Sequence, residues 1–206
     1  LLKKQGSVYL SFVQALLDQK LLVMDELDLL ISDFKKVNGY SNSDFEDIKS
    51  DEVDRILPFL LPEEAAEYQE LIGTVVRTLI RMVDRHLYVG KAAMIDEFQQ
   101  ENLALQRMEG EGGMVDSFSE RDGALLKLCS IFGQEEFEEL DIFALDAAAE
   151  LLNCCNGMYV SELSRKGHFL ELTPPDYVGV SDAAHICRVP IFIGNAGLYF
   201  IVGKLA

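Results

Sequence analysis

The feature that most constrains the fold is a long amphipathic helix predicted over residues 140–166, which Lys166 and Gly167 end. At 100° per residue, one side of this helix collects its apolar residues: Ala148, Leu151, Leu152, Cys155, Met158 and Tyr159. The other side gathers polar and small residues within a sector of about 80°: Asp146, Glu150, Asn153, Gly157, Ser161 and Ser164. The pattern predicts one face that packs and one that is either simply solvated or available to a partner.

Gly157 lies on the polar face of this helix. A glycine in the interior of a helix costs about 1 kcal/mol relative to alanine. Its presence there predicts that something else approaches the helix backbone closely at that position.

Segments around the helix predict an antiparallel sheet. Strands are predicted at residues 114–119 and 169–173, and a hairpin turn at residues 110–113. Residues 184–192 and 198–202 flank Gly194-Asn195-Ala196-Gly197, which is a second hairpin signal. Further helices are predicted at residues 63–86 and 123–132. This order of elements predicts an α+β fold, with long helices packed on one face of an antiparallel sheet.

The first 60 residues are predicted to be an all-helical extension. Apolar side chains recur at helical spacing over residues 8–22 and 24–37, and Asn38-Gly39 predicts the end of the second helix. Pro58 and Pro62 mark a boundary, so two domains are predicted, at residues 1–60 and 63–206. The extension has the pattern of a small docking or dimerisation module.

Composition excludes several classes of function. The 206 residues are 49% apolar and carry a formal charge of −17, which favours a globular fold and opposes binding to nucleic acid or anionic membranes. The four cysteines form no CxxC pair, and the three histidines have no second ligand at a usual spacing, so no metal site or bound cofactor is predicted. No apolar run reaches the roughly 20 residues of a membrane-spanning helix, and no signal peptide is recognised. We therefore expect a cytoplasmic protein.

The stretch of residues 140–153 resembles the phosphatase helix of the CheC/CheX/FliY family of chemotaxis proteins. That family's pattern is Asp or Ser, three residues, Glu, two residues, Asn and, further along, a proline. Here Asp146, Glu150 and Asn153 match the first positions, and Pro174 matches the last. The strand at residues 116–120, the helix after it and the hairpin at residues 191–202 also resemble CheX. The resemblance covers residues 65–206, although residues 89–113 match the family poorly.

The resemblance implies hydrolysis of the aspartyl phosphate on a CheY-like response regulator. In this interpretation Asn153 orients the attacking water, Glu150 pairs with the active-site lysine of the regulator, and Asp146 supports that contact. Pro174 is a structural stop. The Mg²⁺ of the reaction is expected in the response-regulator partner and not in this chain. CheX-like proteins pair through their sheets, which implies a homodimer. CheC-type proteins carry two copies of the motif, whereas this chain has one, as CheX does.

The alternative is a catalytically silent CheX-like adaptor, in which the same fold serves as a binding or dimerisation module for a signalling partner. The presence of both Glu150 and Asn153 favours the phosphatase hypothesis. A ligand-sensing domain has no supporting sequence signature.

Overall fold

The computed structural model describes residues 17–50, 52–99, 101–179 and 182–205. Its contacts divide the chain into two compact units, residues 1–59 and 60–206. The helix predicted at residues 8–22 lies mostly outside the described residues, although Leu17 and Asp18 are helical.

The first unit consists of short helices. They are α1 (Met24–Asn38), α2 (Asn42–Ile48) and α3 (Val53–Leu60), whose last residue belongs to the second unit. α1 ends as predicted, because Gly39 adopts the left-handed conformation (φ 70°) that terminates helices. Ser41 begins α2 with a capping box: its Oγ accepts from the Asp44 backbone N–H, and its own N–H donates to the Asp44 carboxylate.

The second unit is built on an antiparallel sheet of seven strands, counted over the described residues. The strands run in the order β1-β6-β7-β4-β3-β5, and β2 also pairs with β6. Their bounds are β1 Tyr88–Val89, β2 Ala93–Ile95, β3 Leu103–Gly110, β4 Met114–Glu120, β5 Leu170–Leu172, β6 Ala183–Ile193 and β7 Ala196–Leu205. Both hairpins predicted from glycine-rich turns are present, as β3–β4 and β6–β7.

The long helices pack on one face of this sheet, which confirms the predicted α+β class. Their bounds are α4 Gln69–Met82, α5 Ala124–Gly133 and α6 Ile142–Arg165. α6 lies across β3, β4 and β5 and is flanked by α4 and α5, so it sits at the centre of the helical layer. The opposite face of the sheet carries a second apolar cluster made of Phe98, Leu103, Leu105, Val115, Ile186 and Ile201.

The helix predicted over residues 63–86 is shorter and composite. Residues 63–68 form a 3-10 helix after Pro62, and the α-helix runs only from Gln69 to Met82. Tyr68 is fully buried, and its hydroxyl donates to the His185 backbone carbonyl oxygen at 2.8 Å, which fixes the junction. Beyond Met82 the chain turns, because Asp84 Oδ1 accepts the backbone N–H of His86 at 2.8 Å.

Candidate functional site

The polar face predicted on the long helix is present on α6. The helix begins where Asp141 Oδ1 accepts the Ala144 backbone N–H at 2.9 Å, a standard N-cap. Asp146, Glu150 and Asn153 are all exposed. On the packing side, Ala148, Leu151, Leu152, Cys155 and Tyr159 are buried as predicted, whereas Met158 is 40% exposed. Met158 therefore does not belong to the packing side as predicted, and it lines a groove described below.

Glu150 and Asn153 differ in how they are held. Glu150 makes no hydrogen bond or ion pair with any residue that the structure describes, so its carboxylate is available to a partner. Asn153 is anchored from one side, because its Oδ1 accepts from Gln106 Nε2 on β3 at 2.7 Å. Within the described ranges its Nδ2 has no partner, so it can donate outward. Residues three apart on a helix are neighbours, so a single bound group can contact both side chains.

Asp146 is held by a residue that the sequence did not suggest. The Tyr177 hydroxyl donates to Asp146 Oδ1 at 2.7 Å. Burial and the neighbouring Asp146 carboxylate raise the pKa of Tyr177 to about 12, so the phenol keeps its proton and remains the donor. This bond ties the loop after β5 to the exposed face of α6, one turn before Glu150.

Pro174 lies in that loop, two residues after the end of β5. Thr173 still pairs with Arg107, and Asp176 pairs with Leu105, so one extra residue is inserted opposite β3 at the two prolines. Proline has no N–H to donate to the sheet, and it restricts the preceding residue to extended backbone. The Thr173 carbonyl oxygen accepts from Gln106 Nε2 at 2.8 Å, the same nitrogen that binds Asn153.

Gly157 faces a groove between α4 and α6. A Cβ added to Gly157 would meet nothing within 4 Å, so no part of the described chain requires the glycine. The groove has a volume of about 610 Å³, and its walls include Arg81, Met82 and Met158 as well as Asn153. Arg81 makes no ion pair with the described residues. The site therefore adjoins an open groove that carries a cationic side chain, in a protein whose net charge is −17.

Beneath Asn153, three polar side chains are buried between α6 and the sheet. Gln106 and Asp116 are opposite each other on β3 and β4, and Asn156 lies one turn after Asn153. Burial raises the pKa of Asp116 to about 8, against the lowering effect of its hydrogen bond from Asn156, so the acid is largely neutral at pH 7. Sequence reasoning missed all three. The available signal for Gln106 and Asp116 was their two-residue spacing from Ala104, Met108 and Phe118, which places both on an apolar strand face.

Other kinds of site find no support in the part of the chain that the structure describes. Those residues contain no group of three or more histidine, cysteine or acidic side chains placed to bind a metal ion. The four cysteines are free thiols, and only Cys154 among them is exposed. None of the described helices is both long enough and apolar enough to cross a membrane.

The site therefore consists of an exposed carboxylate and an anchored carboxamide on one helix of an α+β fold. Such groups can bind a partner and orient a reacting molecule, and neither is a strong nucleophile. No family model matches the sequence. The chain is 29% identical over 116 residues to the CheY-P phosphatase CheX of Thermotoga maritima, covering 54% of this chain and 74% of that protein.

Solved structures share the fold. A CheC-like superfamily protein from Shewanella sp. PV-4 superposes with a TM-score of 0.56 at 17% identity, covering 70% of this chain and 99% of that one. Chemotaxis protein CheX from Desulfovibrio desulfuricans superposes with a TM-score of 0.56 at 12% identity, covering 69% of this chain and 99% of that one. A chain of the CheX–CheY–BeF3–Mg²⁺ complex from Borrelia burgdorferi superposes with a TM-score of 0.54 at 15% identity, covering 67% of this chain and 97% of that one. At such identities these structures establish the fold alone. Together with the sequence match, they show that the chain is similar to CheX in sequence and to CheX and CheC-like proteins in fold.

Proposed function

We propose that this protein hydrolyses the aspartyl phosphate of a CheY-like response regulator. The observation that carries the proposal is the arrangement of Glu150 and Asn153, exposed one turn apart on α6, with the Asn153 carboxamide anchored from beneath. The sequence match to a CheY-P phosphatase supports the reaction class. The CheX–CheY complex, whose CheX fold this chain shares, supports the kind of partner.

The reaction requires this chain to position groups and forms no covalent intermediate on it. A water oxygen attacks phosphorus, the bond between phosphorus and the aspartyl oxygen breaks, and the products are inorganic phosphate and the free aspartate of the regulator. Such a transfer depends mainly on position and electrostatics. Asn153 orients the water through its amide, and Glu150 pairs with a lysine of the regulator. The Mg²⁺ that neutralises the phosphoryl oxygens belongs to the regulator.

The groove beside Asn153 supports an anionic partner group. Arg81 lines it and contributes a guanidinium group. A guanidinium that makes no ion pair with the described residues, in a groove that Asn153 also lines, favours a phosphoryl-bearing surface over a neutral one. The empty space around Gly157 leaves room for the partner to approach the helix backbone.

A homodimer formed through the sheets, as in CheX-like proteins, stays a prediction. The sheet ends in the short strands β1, β2 and β5, so backbone groups at its edges are available for pairing. Sedimentation of the full chain checks the oligomeric state independently of the enzyme assay.

The test of the proposed function is a dephosphorylation assay. CheY-like receivers are phosphorylated with acetyl phosphate and Mg²⁺, the donor is removed, and the decay of the phosphoreceiver is followed with and without the protein. We expect faster decay with the wild type, and loss of about 100-fold or more of that acceleration in Asn153→Ala and Glu150→Ala. Ser164→Ala is the matched control, since Ser164 is exposed on the same face of α6.

The possible outcomes separate the two hypotheses of function. Acceleration that disappears in Asn153→Ala and persists in Ser164→Ala supports the phosphatase. Binding of the phosphoreceiver without any acceleration overturns the proposal and supports an adaptor. Acceleration that is unchanged in Asn153→Ala means that the reaction is real and the assigned site is wrong.

A further inference from the structure

Asn153 is the exposed end of a continuous chain of hydrogen bonds that runs into the core. Gln106 Nε2 donates to Asn153 Oδ1 at 2.7 Å. Asn156 Nδ2 donates to Gln106 Oε1 at 3.0 Å and to Asp116 Oδ1 at 2.8 Å. Gln106 is 1% exposed, and Asp116 and Asn156 are fully buried. These hydrogen bonds therefore link the exposed face of α6 to the centre of the sheet.

A backbone carbonyl fixes the direction of this chain. The Thr173 carbonyl oxygen, held at the proline bulge, can only accept, so the Gln106 group that faces it must be the Nε2 amine. The same amine faces Asn153, so the Asn153 atom that accepts from it must be Oδ1. The Gln106 oxygen in turn requires Asn156 to present its amine. Each amide in the chain has one orientation that satisfies its neighbours, and the opposite orientation brings like groups together.

Burying three polar side chains is costly unless their hydrogen bonds are made, and apolar residues of similar size would fill the same space. Two buried atoms, Asp116 Oδ2 and Asn156 Oδ1, have no partner among the described residues. An arrangement that merely filled the core would not need these groups. Among the described residues, Asn153 is the one exposed residue whose side chain these hydrogen bonds reach.

We propose that Gln106, Asn156 and Asp116 are positioning residues that hold the Asn153 carboxamide with Oδ1 turned inward and Nδ2 turned outward. This inference rests on the proposed function for its consequence in catalysis. The outward amine then donates to an oxygen of the bound partner, either phosphoryl or water.

The hydrogen bond from Gln106 preorganises the Asn153 carboxamide for the reaction. A free asparagine side chain on a helix surface samples several rotamers and both amide orientations, and only some of them suit the reaction. Gln106 restricts Asn153 before the partner arrives. Losing that restraint leaves docking intact, because docking involves the whole exposed face, and lowers the fraction of encounters with a correctly oriented amide. The expected effect falls on kcat and not on KM.

The primary test is a side-chain NMR measurement on the full-length, 15N-labelled protein, which needs no phosphatase activity. The Asn153 NH2 group is assigned by its absence in Asn153→Ala, and its ¹⁵N relaxation is compared with those of Asn156 and Asn195. Asn156 is buried and Asn195 is exposed, so they mark the rigid and mobile limits. We expect wild-type Asn153 to be rigid like Asn156, although its side chain is exposed. Rigidity no greater than that of Asn195 overturns the proposal without any variant.

The second test uses Gln106→Met, which keeps the length of the side chain, suits a buried position and cannot donate. We expect the Asn153 NH2 group to become as mobile as that of Asn195, and kcat on a phosphoreceiver to fall about 10- to 100-fold with KM within threefold. Val115→Ala is the matched control. Val115 is fully buried on β4 next to Asp116, and it lies in the cluster on the other face of the sheet. It should destabilise the protein and leave both Asn153 mobility and kcat unchanged.

Failure of this proposal is distinguishable from failure of the proposed function. A rigid Asn153 that is released in Gln106→Met, in a protein that dephosphorylates no receiver, leaves the positioning chain standing and removes the phosphatase. If Gln106→Met keeps the wild-type kcat and the wild type accelerates dephosphorylation, the phosphatase stands and the positioning role of Gln106 is wrong. If Val115→Ala lowers kcat as much as Gln106→Met does, the polar chain has a structural role only.

Discussion

Asp116→Asn should make the stability of this protein less sensitive to pH, in a way that can be worked out from the structure. Asp116 is fully buried, and burial raises its pKa from 3.8 to about 8. Between these values the folded chain keeps a proton that the unfolded chain releases. Stability therefore falls as the pH rises from about 4 to about 8, and it levels off above the folded pKa. Asparagine is isosteric with the neutral acid and has no proton to lose.

The magnitude follows from linkage. Each pH step of one between the two pKa values removes about 1.4 kcal/mol from the wild type. From pH 5 to pH 8, the free energy of unfolding of Asp116→Asn should therefore gain about 3 to 4 kcal/mol relative to the wild type. The other titratable groups that interact with Asp116 are Cys155 and Tyr159, whose pKa values are also raised by burial. Both stay neutral throughout this window.

The assay is urea denaturation of both proteins, followed by circular dichroism at pH 5, 6.5 and 8. Taking the difference between the variant and the wild type cancels the many carboxylates that titrate in both. The amide of the variant also suits the site, because its oxygen can still accept from Asn156 Nδ2. A difference that stays constant from pH 5 to pH 8 would mean that the pKa of Asp116 is not raised in the folded protein.

Three further predictions concern α6. Asp141→Ala removes the N-cap acceptor of the Ala144 N–H and should cost about 1 kcal/mol in urea denaturation. Gly157→Ala should stabilise the protein by about 0.5 to 1 kcal/mol, because the new methyl group meets nothing within 4 Å. If the partner approaches the helix at this position, the same variant should raise KM for the phosphoreceiver. Cys154 should react rapidly with a thiol reagent, while the remaining thiols react only on unfolding; these are Cys129, Cys155 and Cys187.

Each of these predictions has a clear contrary result. An unchanged stability in Asp141→Ala means that the cap makes no net contribution. A stabilised Gly157→Ala with unchanged KM means that the partner does not approach the helix there. Rapid reaction of more than one thiol in the folded protein contradicts the burial of the other three.

The sequence was sufficient for the parts of the fold that local patterns determine. The apolar stripe of α6 and the glycine turns of the hairpins specify their elements through periodicity and backbone conformation. The helix predicted at residues 63–86 was too long, because its real limits depend on a buried tyrosine at one end and an aspartate turn at the other. Those contacts are tertiary or conformational details that an apolar stripe does not contain.

The candidate site was only half visible in the sequence. Asp146, Glu150 and Asn153 follow from helical spacing together with the family resemblance. The residues that hold them come from elsewhere in the chain: Gln106 contacts Asn153 across 47 positions, and Tyr177 contacts Asp146 across 31. Which side chains meet in this way depends on the packing of α6 on the sheet. Gln106 and Asp116 are also polar, and polar residues in strands are ordinarily assigned to the solvent face.

The proposed function requires that Asn153 on α6 accelerates hydrolysis of a receiver's aspartyl phosphate. The most direct measurement is the decay rate of a phosphorylated CheY-like receiver in Mg²⁺ buffer, alone, with the wild-type protein and with Asn153→Ala. We expect faster decay with the wild type and a rate close to that of the receiver alone with Asn153→Ala. A decay rate that Asn153→Ala accelerates as much as the wild type does would contradict it.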